Sequence, residues 1–119
     1  MASVNNHMES SIKREITQLY KSSFGKGPES TEVIIYENFV FLKFIGALSQ
    51  IEESLMNSEN GKQIVEKIRD ELILSQASVY VPTIESIINE KIYKINYMME
   101  DERNILYMFL LFKNVIVKD

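Results

Sequence analysis

The sequence predicts an α+β fold, with a mainly antiparallel sheet of about four strands, built from two hairpins, packed with three to four helices as a two-layer sandwich. Three observations predict it. Runs at 33–45 and 105–112 are apolar at both odd and even positions, the pattern of strands covered on both faces. Stretches with apolar residues at steps of three and four precede and separate them, as amphipathic helices require. The strands come in pairs around short polar turns, with the helices segregated between the pairs, which separates α+β from alternating α/β architectures.

The elements follow in order. Residues 1–9 are polar and aperiodic and read as a flexible N-terminal segment, leaving 10–119 as a single domain, an ordinary size for one core. From Ser11, the residues Ile12, Ile16, Leu19, Tyr20 and Phe24 form the stripe of a first helix. It stops at Gly25-Lys26-Gly27-Pro28, where glycine permits positive φ and proline cannot continue the pattern. Thr31 to Tyr36 and Phe39 to Ile45 are strands joined at Glu37-Asn38, the length of a two-residue hairpin turn, with Asn38 tolerating positive φ. Ser49 followed by Glu52 matches a capping box and opens a short second helix. Ile64, Val65, Ile68, Leu72 and Ile73 mark the buried stripe of a third, with Lys67, Arg69 and Asp70 facing water. Pro82 either kinks this helix or opens a fourth at its first position. Lys91 to Met99 alternate, with Tyr93, Ile95, Tyr97 and Met99 on one face and Lys94 and Asn96 on the other, as in an edge strand. The polar cluster Glu100 to Asn104 then turns the chain into the apolar strand Ile105 to Phe112.

Composition narrows the function. The chain of 119 residues is 45% hydrophobic and 25% charged, within the globular range. A net charge of -4 with no dense Lys/Arg block disfavours nucleic acid. No stretch approaches the roughly 18 apolar residues that span a bilayer, and no signal peptide is evident, so the expectation is a soluble cytoplasmic protein. Without cysteine, thiolate nucleophiles and thiolate metal ligands are excluded. The single histidine, His7, leaves no histidine-based triad or metal site.

The remaining candidates are weak as chemistry. Gly25-Lys26-Gly27 invites a phosphate-loop reading, but it leaves a helix C-terminus, whose partial charge repels anions. Glu66, Asp70 and Glu71 lie among lysines and read as a solvated helix face, as do Glu52-Glu53 and the turn Glu100 to Glu102 as solvated or capping groups. No catalytic residue, metal site or cofactor is expected, and the chain reads as a non-enzyme. Two sets carry interaction readings. Phe39, Phe41, Leu106, Met108, Leu110 and Phe112 are the interface residues expected of a homodimer, since a short chain has little helix to cover both sides of such strands. Tyr80, Tyr93, Tyr97 and Tyr107 are the expected lining of a small-molecule pocket between sheet and helices.

The succession of an amphipathic helix, Phe24-Gly25-Lys26-Gly27-Pro28, a hairpin closing on Gly46-Ala47-Leu48, then Glu52, Leu55, Gly61, Val65, Arg69 and Leu72 resembles the MpsC-like domain. That family is named for a component of a sodium-translocating, membrane-potential-generating system and is otherwise a domain of unknown function. The likeness spans roughly Ser10 to Lys113. It implies a small bacterial protein accessory to membrane energetics or to ion and bicarbonate transport, with a membrane transporter as partner, and it carries over no catalytic residue.

Overall fold

The computed structural model describes residues 2–116, in eight elements. They are α1 (Ala2–Phe24), β1 (Ser30–Tyr36), β2 (Phe39–Ile45), α2 (Gln50–Leu55), α3 (Glu59–Ser75), α4 (Ala77–Ile88), β3 (Ile92–Glu100) and β4 (Ile105–Phe112). The strands form one antiparallel sheet in the order β1-β2-β4-β3, so the two hairpins join through β2 and β4. Helices lie on one face, giving the α+β two-layer arrangement that the segregated elements imply.

The core sits between the layers. Ile12, Ile16 and Tyr20 of α1 and Ile84 and Ile88 of α4 pack on Val40, Leu42 and Phe44 of β2 and on Leu106, Met108, Leu110 and Phe112 of β4. Phe44 and Phe112 are almost fully enclosed, and each such side chain contributes roughly 1.5–3 kcal/mol relative to exposure. The α1 stripe ends as expected: Gly25, at φ +82°, donates its N–H to the Lys21 carbonyl as a left-handed C-cap. The Ser49/Glu52 capping box is present in full.

Several elements differ from the sequence reading. α1 begins at Ala2, within the segment assigned to a flexible terminus, and it is fastened there: Met8 packs on the core and the Glu9 carboxylate accepts the Ile35 N–H of the edge strand β1. Glu37, not Asn38, takes the positive φ of the first turn, at 54°. Asn38 instead donates from its side chain to the Phe112 carbonyl and accepts the Phe112 N–H, which ties the turn to the end of β4. On α3 the buried stripe is Gly61, Val65, Arg69 and Ile73, while Ile64 and Ile68 stay exposed at 42% and 41%. The helix is thus rotated by about one residue from the apolar stripe, because Arg69 finds enough partners to be drawn inside. Pro82 neither kinks α3 nor opens α4. The break falls at Gln76, and Pro82 lies inside α4. The Ile73 carbonyl freed by that break accepts the Tyr80 hydroxyl at 3.0 Å.

β3 carries a register shift between Ile92 and Lys94, and Tyr93 falls in it. Beyond the bulge the alternation holds, with Ile95, Tyr97 and Met99 on the core side. Tyr93 itself is 56% exposed and does not share their face.

Candidate functional site

The side of the sheet away from the helices is the largest organised surface. Strand register places its residues in four rows across the sheet: Tyr36, Phe39, Leu111 and Lys94; Ile34, Phe41, Phe109 and Asn96; Glu32, Lys43, Tyr107 and Met98; Ser30, Ile45, Ile105 and Glu100. Most of this face is open to solvent; the exception is its last row, where Ile105 is buried. Ile34, Tyr36 and Met98 are more than half solvent-facing or at half, and Phe109 is 39% exposed. Phe41 anchors an aromatic cluster, stacked on Tyr107 at 6.0 Å between centroids and tilted against Phe109 at 4.9 Å, while Tyr36 meets Phe39 at 5.9 Å. Polar groups lie mostly at the margins. Lys43 is the exception, on the inner strand β2 beside Tyr107, where it approaches Glu32 at 4.0 Å; at the margin Glu100 accepts the Tyr107 hydroxyl at 2.8 Å beside Arg103 at 3.8 Å. That hydrogen bond to a carboxylate, and then burial, push the Tyr107 pKa up.

The six expected interface residues divide between the two faces. Phe39 and Phe41 are on the open face. Leu106, Met108, Leu110 and Phe112 are buried under the helices and are corrected to core residues. The cause is register: Phe39 pairs with Leu111 and Phe41 with Phe109, so odd-numbered residues of β2 and β4 share a face and the even-numbered ones share the other. Ile34, Tyr36, Tyr107, Phe109, Leu111 and Met98 complete the open face. Their two-sided apolar pattern was visible in the sequence, but the pairing that assigns a side to each was not.

The four tyrosines do not converge on one pocket. Tyr80 lines an apolar cavity of about 50 Å³ with Ile16, Leu72 and Met108, and burial raises its pKa. That volume is far below the roughly 300–1,000 Å³ of small-molecule sites. Tyr97 lines a separate cleft beside Val65 and Arg69, where its hydroxyl donates to Asp70 at 2.7 Å. Burial and that carboxylate push its pKa up to about 12. Tyr93 sits in the β3 bulge, and Tyr107 is on the opposite face of the sheet.

Beneath α2 lies a buried polar network that the sequence reading placed in water. Arg69, 3% exposed, donates from Nε to Glu52 Oε2 at 2.9 Å and from Nη2 to Glu52 Oε1 at 2.6 Å. It also donates to the Tyr20 hydroxyl and the Ala47 carbonyl, each at 2.6 Å, and lies 4.0 Å from the Phe24 ring centroid. The Tyr20 hydroxyl in turn donates to the Ala47 carbonyl. Burial alone would push the Glu52 carboxyl up, but hydrogen bonds from Arg69 and from the Ser49 N–H outweigh it and hold the carboxyl below its ordinary range. With four of its five N–H donors engaged by the protein, Arg69 ties together α1, α2, α3 and the β2–α2 loop. His7 is exposed on α1, and among the described residues no group of three His, Cys, Asp or Glu is placed to hold a metal ion. No described helix is long and apolar enough to cross a membrane.

Residues 5–114 match the family described as Na+-translocating membrane potential-generating system (MpsC). The uncharacterized protein YrhF of Bacillus subtilis (strain 168) is 28% identical over 102 residues, which cover 85% of this chain and 84% of that protein. No solved structure matches the chain.

Proposed function

The chain belongs to the MpsC family, and we propose that it acts as a non-enzymatic, homodimeric accessory module of the cytoplasm whose contact surface is the open face of the sheet. The observation that supports this reading is the aromatic cluster of Phe41, Tyr107 and Phe109, held at the middle of a largely open face with polar groups mostly around it. An apolar centre with a polar rim is the composition of a protein interface. Four strands of about seven residues span roughly 19 Å by 24 Å in plan. A patch of that size, roughly 450 Å² per protomer and about 900 Å² for two, is within what monomers leave exposed and falls in the class of weak, transient interfaces. It therefore suits a dimer that forms at micromolar concentration better than an obligate one. Sedimentation velocity tests the reading: a concentration-dependent dimer supports it, and a monodisperse monomer at tens of micromolar overturns it.

A second reading rests on the family's description. The same face, or the exposed Ile64 and Ile68 of α3, docks the chain as a subunit on an ion-translocating membrane complex. Affinity capture with the tagged full chain from native membranes is the test. Recovery of an integral membrane protein whose capture is lost with an open-face substitution supports it, and the absence of any such protein contradicts it.

A further inference from the structure

We infer that the two copies meet face to face about a two-fold axis lying in the plane between the sheets and perpendicular to the strands, so that Lys94 of one protomer reaches Glu100 of the partner subunit. This rests on the homodimer reading above and supplies its register. A two-fold interface uses one patch twice, so the pattern of charges on that patch restricts the possible axes.

Lys94 and Glu100 occupy the two ends of the open-face side of β3, at opposite corners of the same edge. Lys94 is exposed and makes no ion pair among the described residues, whereas Glu100 has a single cation beside it, Arg103 at 3.8 Å and 70% exposed. Sheets that pack face to face keep their strands within about 30° of aligned. Two two-fold axes satisfy that condition. An axis parallel to the strands lays β1 over the partner's β3, which sets Tyr36 opposite Lys94 and Ser30 opposite Glu100 and leaves both charges without an opposite partner. The perpendicular axis lays β3 over β3 with its direction reversed. Each Lys94 then faces Glu100 of the partner subunit, and symmetry makes the pair twice.

The same axis treats the other groups well. It passes above the level of Val33, Leu42, Met108 and Tyr97, midway along the strands. Phe109 then stacks toward the partner's Tyr107, and Lys43 lies over the partner's Phe41, a cation on an aromatic face. No two like charges are opposed. The rim pairs contribute modestly to affinity, but they discriminate between the two axes, which is the usual role of charges at the edge of an interface.

Charge reversal tests the register, read by sedimentation equilibrium of the full chain at about 0.05 M ionic strength, where such pairs are least screened. Lys94→Glu and Glu100→Lys are each expected to weaken the dimer roughly ten-fold, and the double variant to recover most of that loss. Because the chain has no cysteine, Lys94→Cys/Glu100→Cys with a short bis-maleimide gives an independent reading as a covalent dimer. Wild type that dimerises with no response to single reversal, or with a double variant as weak as the singles, overturns the register and leaves the dimer standing. Wild type that never dimerises overturns the dimer and the register with it.

Discussion

Arg69 of α3 and Glu52 of α2 form a buried bidentate ion pair, with two N–H donors of the guanidinium on the two carboxylate oxygens at 2.6 and 2.9 Å. A pair of this kind costs much desolvation, so its net contribution over an apolar substitute is small. Its removal by halves is a different matter. Arg69→Met leaves Glu52 charged and enclosed, with the Tyr20 hydroxyl and Ala47 carbonyl each short of a donor, and is expected to lower stability by about 3–5 kcal/mol in urea unfolding. Arg69→Met/Glu52→Leu is expected to lose clearly less. A single variant within 1 kcal/mol of wild type would mean that the network does not hold α2 to α3.

The same pair sets an acid limit. Glu52 is held below its ordinary pKa, because the Arg69 and Ser49 hydrogen bonds outweigh the upward push of burial. The folded chain therefore takes up this proton at lower pH than the unfolded chain. The contribution to stability is complete above the unfolded carboxylate value of about 4.3 and is lost as pH falls through the lower folded value. Urea unfolding of wild type should weaken between about pH 5 and pH 3 by more than that of Glu52→Gln, which has no such proton to take up. Equal slopes would contradict the assignment.

Gly61 separates two kinds of glycine. A Cβ built there would lie 1.8 Å from the Leu55 carbonyl oxygen, where the end of α2 crosses the start of α3, and both backbones would have to move. Gly61→Ala is expected to destabilise by roughly 3 kcal/mol. Gly25→Ala meets nothing within 4 Å and carries only the strain of φ +82°, about 1 kcal/mol. Thermal melts of the two variants should fall in that order, and the reverse order would refute the packing at Gly61.

Element types and the grouping of strands were legible, because periodicity and turn residues are local signals. The hairpin ends, the capping box and the helix stop at Gly25 all stand where local chemistry puts them. What failed depended on partners distant in sequence. Arg69 reads as a solvent-facing residue until Glu52, Tyr20 and Ala47 are brought around it. The interface set mixed two faces because Phe39 and Leu106 are both apolar, and only the pairing of Phe39 with Leu111 separates them. Tyr93 left its expected face because a single inserted residue changes the parity of everything before it. Alternation within a strand is local; which alternate faces the core is a property of the sheet.

Asn104 illustrates a residue whose role no motif announces. At φ 56°, its backbone carbonyl accepts the N–H groups of Gly46 and Ala47. Its side chain accepts the Leu48 N–H at 2.7 Å and donates to Glu53 at 3.1 Å. The second hairpin is thereby tied to the β2–α2 loop. Asn104→Gly keeps the left-handed backbone and loses the side-chain bonds, whereas Asn104→Ala loses both advantages. Chemical denaturation should rank wild type above the Gly variant and the Gly variant above Ala, with the last about 2 kcal/mol below wild type. An Ala variant at least as stable as Gly would show that the backbone conformation is not what asparagine supplies.

The central claim is that the open face of the sheet joins two copies of the chain, and sedimentation velocity of wild type beside Phe109→Lys tests it most directly. Phe109 lies on the open face at 39% exposure, outside the helix-covered core. At tens of micromolar, wild type is expected to sediment as a dimer of 13.9 kDa chains and Phe109→Lys as a folded monomer with an unchanged far-ultraviolet circular dichroism spectrum and a melt lowered only by the loss of association. A wild-type chain that stays monomeric at that concentration, or a Phe109→Lys variant that dimerises as tightly as wild type, would contradict it.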